Sequence, residues 1–199
     1  MGDHDRLRWD ARYGADTASA PSPPPALPEL FSSHAGRFPT AGEALDVACG
    51  TGESAVWLAG LGMEVCAADI SPVALARARR LADDHGVDHR CRFVLADLDR
   101  GLPAGPQAAV ILCHMFRDPR LYAPLMARLA PGGLLAVAVL SEVGDRPGPF
   151  RAARGELLRA FGSLHVLTGG EGEGRAWLLA ERRLHRPTPG RPSGPGLSA

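Results

Sequence analysis

Short apolar runs alternate with amphipathic segments along most of the chain. The apolar runs predict β-strands, and segments in which apolar residues recur with a helical period predict α-helices. In chain order, strands are predicted over residues 44–48, 63–68, 92–96, 108–113, 134–140, 164–168 and 176–180. Helices are predicted over residues 53–61, 72–85, 121–129 and 150–161. Strands that alternate with helices indicate a parallel sheet with helices on both faces.

The last two predicted strands are joined by only a short turn that is rich in Gly and Glu. Such a turn joins antiparallel neighbours, because a parallel connection needs a much longer crossover. The predicted fold class is therefore α/β: a Rossmann-like, mostly parallel seven-stranded sheet with a C-terminal antiparallel hairpin and helices on both faces.

Two proline-rich segments set the ends of the chain apart. Residues 21–25 read Pro-Ser-Pro-Pro-Pro, which excludes a helix or a central strand because proline lacks the N–H donor and fixes φ. Residues 185–199 are rich in Pro, Gly and Ser and are predicted to be disordered. The expected organisation is an N-terminal segment or lid over residues 1–41, one domain over residues 42–184 and a disordered tail over residues 185–199.

The composition narrows the classes of function. Lys plus Arg and Asp plus Glu both number 22, so the basic surplus typical of nucleic-acid binders is missing and no nucleic-acid partner is expected. The longest apolar runs are too short to cross a membrane, and the polar N-terminus does not resemble a signal peptide, so a cytoplasmic protein is expected. The four cysteines form no C-x-x-C pair, and no metal site is predicted. The chain contains no lysine and much Ala, Gly and Pro, which suggests a bacterial source with a GC-rich genome.

The most informative motif joins the first strand to the first helix, where residues 45–53 read Leu-Asp-Val-Ala-Cys-Gly-Thr-Gly-Glu. In open α/β sheets, ligands bind outside the carboxyl ends of strands. Gly50 and Gly52 permit a tight turn whose backbone N–H groups approach a ligand closely. Asp46 is placed to accept a hydrogen bond from a ligand ammonium group or to position the loop. Taken alone, the motif is equally compatible with an ordinary turn or a dinucleotide-binding loop.

Further acids at the ends of successive strands favour a nucleoside ligand. Asp69 ends the second strand, where a carboxylate can hold both hydroxyls of a ribose, and Ile70 offers an apolar face to a purine. Asp97 ends the third strand, where it can accept a hydrogen bond from an adenine amino group. Three acids at three strand ends, together with the glycine turn, are difficult to explain as solvated strand ends alone.

Residues 44–140 resemble the class I S-adenosylmethionine (SAM)-dependent methyltransferases. The matching motifs are residues 46–52, the positions of Asp69 and Asp97, and the Leu-Ala-Pro-Gly-Gly-Leu run over residues 129–134. Residues 9–13, with the missing helix between the third and fourth strands, are similar to the small tellurite-resistance-type (TehB-like) branch. The sequence departs from the family at Ala48, where the family usually has glycine.

The resemblance implies a SAM cofactor, with S-adenosylhomocysteine (SAH) as product, and a set of site residues. Asp46, Gly50 and Gly52 would line the methionine part, Asp69 would bind the ribose, and Asp97 and Leu98 would flank adenine. Arg12 and Tyr13 would reach the methionine carboxylate. The full set of expected cofactor-binding residues is Arg12, Tyr13, Asp46, Ala48, Cys49, Gly50, Gly52, Asp69, Ile70, Asp97, Leu98 and Cys113.

The end of the fourth strand bears on the acceptor. Residues 113–116 read Cys-His-Met-Phe, without the Asn/Asp-Pro-Pro-aromatic stretch of amino-methylating relatives, and only Asp118 stands near for a metal-binding cluster. His114 is the candidate general base, since imidazole titrates near neutral pH; the alternative is a histidine bonded to a backbone carbonyl or forming part of the pocket wall. With only residues 1–42 and 141–151 as covers, a small-molecule acceptor is expected. The sequence does not fix the acceptor atom or the oligomeric state.

Three other functions remain open at this point. A nucleotide-dependent oxidoreductase would share the glycine loop and Asp69, but it prefers a third glycine and has no need of Asp97. A catalytically silent SAM-binding regulator would share the whole site. A structural or interaction protein would have no use for acids at three strand ends.

Overall fold

A computed structural model of the protein describes residues 2–15 and 24–184. Within them, the strands are β1 (Glu43–Val47), β2 (Glu64–Asp69), β3 (Cys91–Leu95), β4 (Ala108–His114), β5 (Leu129–Leu140), β6 (His165–Gly172) and β7 (Arg175–Glu181). The α-helices are α1 (Asp3–Ala15), α2 (Glu53–Gly60), α3 (Pro72–Asp84), α4 (Tyr122–Arg128) and α5 (Glu156–Phe161). The predicted disordered tail, residues 185–199, lies outside the described residues, as does part of the proline segment.

The seven strands form one sheet in the order β3-β2-β1-β4-β5-β7-β6. The strands β1 to β5 pair in parallel, and β7 runs antiparallel to both β5 and β6. Glu173 and Gly174 form the β6–β7 turn with φ of +51° and +73°, the backbone region that two-residue hairpin turns require. The predicted fold class is thus confirmed. The strand order reverses between β1 and β4, which creates a crevice at the carboxyl ends of these strands.

Apolar layers cover both faces of the sheet because successive strand residues point to opposite sides. On one face, Leu45, Val47 and Ile111 belong to the same buried cluster. On the other face, Ala44 packs in a cluster that also contains Leu27, Phe31 and Phe38, which come from the segment before β1. That segment, with its 3-10 helix Glu29–Arg37, is therefore part of the core rather than of a lid.

Two helices differ from the sequence prediction. The first, α1, was not predicted, because its residues are mostly polar and show no sustained apolar period. It packs on α3, where the Ser71 hydroxyl donates to the Asp10 carboxylate at 2.5 Å. The second, α5, begins only at Glu156, although a helix was predicted from residue 150. Gly155 precedes it at φ +71°, a left-handed conformation that a helix does not pass through.

Among the helices of the described ranges, none is long and apolar enough to span a membrane.

Candidate active site

A cavity of about 410 Å³ lies at the carboxyl ends of β1, β2, β4 and β5, at the reversal of strand order. We call it the first cavity. Helix α1 lies over it and contributes three of its side chains. The residues that line it are Trp9, Arg12, Tyr13, Ala48, Asp69, Ile70, Leu98, His114, Met115, Phe116 and Leu140.

Asp69 ties the loop after β1 to the beginning of α3. One carboxylate oxygen accepts the Gly50 N–H at 2.9 Å, and the other accepts the Ser71 N–H, also at 2.9 Å. Burial raises the pKa of Asp69 above its ordinary value, while these backbone hydrogen bonds act in the opposite direction. The carboxylate is therefore held in one orientation at the wall of the cavity.

Asp46 lies beneath the loop and does not line the cavity, although it was expected to contact the cofactor. Its side chain is buried, and its Oδ2 atom accepts no hydrogen bond from the described residues. Burial, followed by the nearby carboxylates of Asp69 and Glu53, raises the pKa of Asp46 to about 8. A buried carboxyl group in these surroundings favours its protonated form, because an isolated charge there lacks compensation.

The two glycines of the loop face different neighbours. A Cβ atom on Gly52 would lie 2.6 Å from the Ala78 side chain, so Gly52 allows α2 and α3 to pack closely. A Cβ atom on Gly50 would lie 2.9 Å from the Tyr13 hydroxyl oxygen. Neither glycine lines the cavity: Gly50 lies against the helix that covers it, and Gly52 lies between helices. Gly52 therefore has a packing role, and its expected contact with the methionine part stays a prediction.

Ala48 lines the cavity with φ of +56°. This left-handed region disfavours any residue with a Cβ atom by roughly 1–2 kcal/mol, whereas glycine adopts it readily. Ala48 stands where the family usually has glycine, and the backbone there still has a conformation that glycine adopts readily.

Helix α1 presents an aromatic and basic face to the cavity. The rings of Trp9 and Tyr13 stack with centroids 5.8 Å apart, and the Arg12 guanidinium lies 5.5 Å from the Trp9 ring centre. Burial, together with the Asp69 carboxylate, raises the pKa of Tyr13 to about 12, so its hydroxyl stays protonated. Within the described ranges, no carboxylate pairs with Arg12. Arg12 is thus a cation at the cavity without an acidic partner.

Three more of the residues expected to contact the cofactor, Asp97, Cys49 and Cys113, lie outside the cavity. The Asp97 carboxylate accepts the Asp99 N–H at 3.0 Å and caps a short 3-10 helix, while its neighbour Leu98 does line the cavity. Cys49 and Cys113 are buried, and burial raises the pKa of both thiols. The Cys113 thiol donates to the Phe116 carbonyl at 3.3 Å. Both cysteines therefore act as small buried side chains.

The end of β4 contributes His114 and Met115 to the cavity. The His114 imidazole has no hydrogen-bond partner within residues 2–15 and 24–184, which sets aside the reading of a histidine bonded to a backbone carbonyl. Burial, aided by the charge of Arg175, lowers its pKa below the ordinary value of 6.5. Met115 has φ of +59°, a strained conformation of the kind found at functional sites. The sequence indicated the position of this pair but not the strain.

A second cavity, of about 580 Å³, adjoins the first. The two share Trp9, Arg12, Met115, Phe116 and Leu140. The other residues that line the second cavity are Asp5, Arg8, Asp99, Arg117, Asp118, Pro119, Arg120, Pro149 and Phe150. Sequence reasoning missed most of these, although it had marked residues 141–151 as a cover. Within the described residues, no three His, Cys, Asp or Glu side chains are grouped as metal ligands.

Sequence comparison assigns the central part of the chain to a known domain. Residues 44–133 match the family model of a methyltransferase domain. The demethylmenaquinone methyltransferase of Thermus thermophilus is 36% identical over 124 residues, which are 59% of this chain and 53% of the relative. An uncharacterised protein of Synechococcus is 35% identical over 137 residues, 61% of this chain and 33% of the relative. The chain thus spans a third to a half of the length of these curated relatives.

Solved structures share the fold. TehB from Haemophilus influenzae superposes with a TM-score of 0.63 at 19% identity, covering 71% of this chain and 57% of TehB. A structure described for the conversion of a disulfide bond into a thioacetal group during echinomycin biosynthesis has a TM-score of 0.63 at 23% identity, covering 91% of this chain and 94% of its own. The central part of the chain, residues 44–133, therefore matches a methyltransferase domain, and the chain shares its fold with solved structures that include TehB.

Proposed function

We propose that this chain transfers a methyl group from SAM to a small-molecule acceptor. The observation that carries the proposal is the chemistry of the first cavity, which matches SAM part by part. Arg12, which pairs with no carboxylate of the described residues, suits the methionine carboxylate. Asp69 is a fixed carboxylate for the ribose, and Ile70 and Leu98 are apolar walls for the purine. The residues present therefore fit the family's cofactor.

Asp69 keeps capacity for the ribose despite its backbone hydrogen bonds. Each carboxylate oxygen has two lone pairs; one oxygen accepts the Gly50 N–H and the other accepts the Ser71 N–H. The Ile70 N–H is a further backbone donor, and the lone-pair capacity that is left is available to a ribose hydroxyl. The same backbone bonds hold the carboxylate in place, so that little side-chain entropy is lost when a ligand binds. Tyr13 and Ala48 complete the wall on either side of this group.

Helix α1 serves as the cover of the site in this proposal. It is joined to α3 by the Ser71–Asp10 hydrogen bond, and it brings Trp9, Arg12 and Tyr13 over the cavity. Excluding water strengthens electrostatic interactions within a site. Because Leu27, Phe31 and Phe38 are buried in the core, we restrict the lid function expected of residues 1–41 to α1.

SAM supplies a methyl group on a positively charged sulfur, which is already activated for transfer. The protein then contributes chiefly proximity and alignment, which in favourable systems are worth up to ~7–11 kcal/mol. His114, neutral at pH 7 because its pKa is lowered, accepts the proton of the acceptor's nucleophilic atom. The lone pair of that atom forms the new bond to the methyl carbon. When bound, SAM would supply the methyl group and keep the electron pair of the broken carbon–sulfur bond, which makes it a neutral thioether.

The size of the enclosing elements supports a small acceptor. The second cavity, of about 580 Å³, is within the range of small-molecule sites and opens beside the first. Its covers are α1 and the segment that contains Pro149 and Phe150. This geometry favours an acceptor that enters the protein over one that docks on its surface.

The test is SAH formation by the purified protein, with SAM and a panel of small phenols, thiols and amines. We expect SAH above the acceptor-free rate with at least one acceptor. Arg12→Gln should raise KM for SAM, whereas Arg80→Gln, an exposed arginine of α3 outside both cavities, should leave it unchanged. If SAM binds and no acceptor yields SAH, the chain is a SAM-binding regulator. If SAM does not bind, the proposal fails as a whole.

A further inference from the structure

The second cavity lies where an acceptor has to sit. It shares five lining residues with the first cavity, among them the strained Met115 and Phe116, so the two spaces are neighbours. A methyl acceptor must approach to roughly 3–3.5 Å of the methyl carbon in line with the breaking bond. If SAM occupies the first cavity, the adjoining second cavity is the space from which that approach is made.

Half of the residues that line the second cavity are apolar, and they supply most of its accessible surface. Trp9 comes from the covering helix, Phe150 from the segment after β5, and Met115 and Phe116 from the end of β4. Phe150 is 59% exposed and Met115 is 42% exposed, which is high for large apolar side chains. A ligand that covers them removes apolar surface from water at about 25 cal/mol per Å².

Apart from Arg12, the charged residues that line the cavity are paired with one another or with a neighbour. Arg117 donates two hydrogen bonds to the Glu156 carboxylate, at 2.7 and 2.8 Å. Arg120 pairs with Asp118 at 2.7 Å and with Asp99 at 2.5 Å.

The two remaining arginines lie on α1. Arg8 lies 3.8 Å from Asp5 and within 5.6 Å of both the Trp9 and the Phe150 ring centres. Arg12 is the exception without a carboxylate partner in the described residues, and the proposed function assigns it to SAM. A charged acceptor would therefore enter a site whose ion pairs are already satisfied, and either compete with them or lose hydration without compensation.

We infer that the acceptor is an uncharged, mainly apolar molecule with a flat body, bound in the second cavity against Trp9, Phe150, Met115 and Phe116. This inference rests on the proposed function for its identification of the bound molecule as the acceptor. The binding preference itself belongs to the cavity and is present whether or not SAM is bound.

The experiment compares three probes that share one ring system and one hydroxyl group. They are a naphthol, the same naphthol with a carboxylate, and the same naphthol with an aminomethyl group. Each is titrated into the protein by calorimetry, without SAH and then with saturating SAH. The neutral naphthol should bind about tenfold or more tightly than either charged analogue in both titrations.

Two variants localise the binding. Phe150→Ala removes an aromatic wall that lines the second cavity but not the first, and should weaken naphthol binding about fivefold or more while SAH affinity stays within about twofold. Leu158→Ala removes a leucine that is 52% exposed and lines neither cavity, and it should change neither affinity.

Charged probes that bind as tightly as the naphthol would overturn the inference, as would a naphthol that does not bind or whose affinity is unaffected by Phe150→Ala. Failure of SAH to bind, with the preference for naphthol intact, would overturn the proposed function and leave the assigned cavity chemistry standing. The two failures are thus distinguishable.

Discussion

The Tyr13 hydroxyl oxygen lies 2.9 Å from the point that a Cβ atom on Gly50 would occupy. Tyr13 belongs to the covering helix and Gly50 to the loop after β1, so this pair sets how closely α1 approaches the first cavity. Gly50 also has φ of +54°, which strains any other residue. A side chain at position 50 is therefore unfavourable for two reasons, and only the steric one depends on Tyr13.

Gly50→Ala should loosen α1. The backbone strain should lower the free energy of unfolding by about 1 kcal/mol, and the steric conflict should displace Tyr13. We expect trypsin to cleave within α1 several-fold faster than in the wild type, and Gly50→Ala/Tyr13→Phe, which lacks the hydroxyl, to regain most of the protection. Added SAM should slow cleavage of the wild type. Equal cleavage of all forms, with and without SAM, would show that α1 is not the cover.

Ala48→Gly should stabilise the protein or leave its stability unchanged. Removal of the Cβ atom relieves the backbone strain at φ +56°. This gain exceeds the cost of ordering the more flexible glycine backbone by up to about 1 kcal/mol. Urea denaturation measures the change. The control is Ala76→Gly on the exposed side of α3, which should destabilise by about 1 kcal/mol because glycine is a poor helix former. A loss of stability at position 48 equal to that at position 76 would contradict the strain argument.

His114→Gln should reduce kcat by about a hundredfold while SAM affinity changes little. Because the pKa of His114 is lowered from 6.5, the imidazole is the neutral base at pH 7. The wild-type rate should therefore be flat near pH 7 and above, and should fall as acid protonates the imidazole at a pH below 6.5. The variant should lack this acid limb. An unchanged kcat, or the same acid limb in the variant, would remove His114 from the reaction.

Glu156→Gln should reduce stability at neutral pH. Partial burial alone would raise the pKa of Glu156, but hydrogen bonds from Arg117, Tyr122 and the Ala153 N–H outweigh it and lower the pKa from 4.5 to about 2. A lowered pKa stabilises the fold above the unfolded-state value, and the contribution is lost as pH falls from about 4.5 to 2. We expect a loss of the order of 2–3 kcal/mol at pH 7 and a flatter acid limb.

Urea denaturation over the same pH range is the measurement for Glu156, with Glu64→Gln as control. Glu64 pairs with Arg90 at 2.7 Å, but its side chain is 54% exposed, so its loss should cost less than about 1 kcal/mol. If the two variants lose equal stability, the network around Glu156 contributes no more than a surface ion pair.

The strand pattern predicted the sheet because apolar runs and turn residues are local properties. The glycine loop could also be recognised from neighbouring residues in the sequence, but the roles of its individual residues could not. Gly50 and Gly52 belong to one motif, and only the neighbours that the fold brings to them, Tyr13 and Ala78, show that Gly50 lies against the covering helix and Gly52 between helices. Nothing local distinguishes the two positions.

The covering helix α1 also could not be predicted from the local sequence. Residues 3–15 lack an apolar period, so their helical structure was missed although Arg12 and Tyr13 were expected at the site. Cys113 is buried outside the cavity, and its thiol bonds to the Phe116 carbonyl across the backbone turn at Met115. Such turns are set by tertiary contacts rather than by the sequence around them.

Calorimetric titration of SAM and, separately, of NAD into the wild type and Asp69→Ala tests the cofactor site itself. SAM should bind with one molecule per chain, and NAD should bind far more weakly. Asp69→Ala removes the acceptor of two ribose hydroxyls and the anchor of the Gly50 N–H, so SAM affinity should fall by roughly 2–4 kcal/mol in a variant whose thermal unfolding remains cooperative. Unchanged SAM affinity in Asp69→Ala, or tighter binding of NAD than of SAM, would mean that the first cavity is not a SAM site.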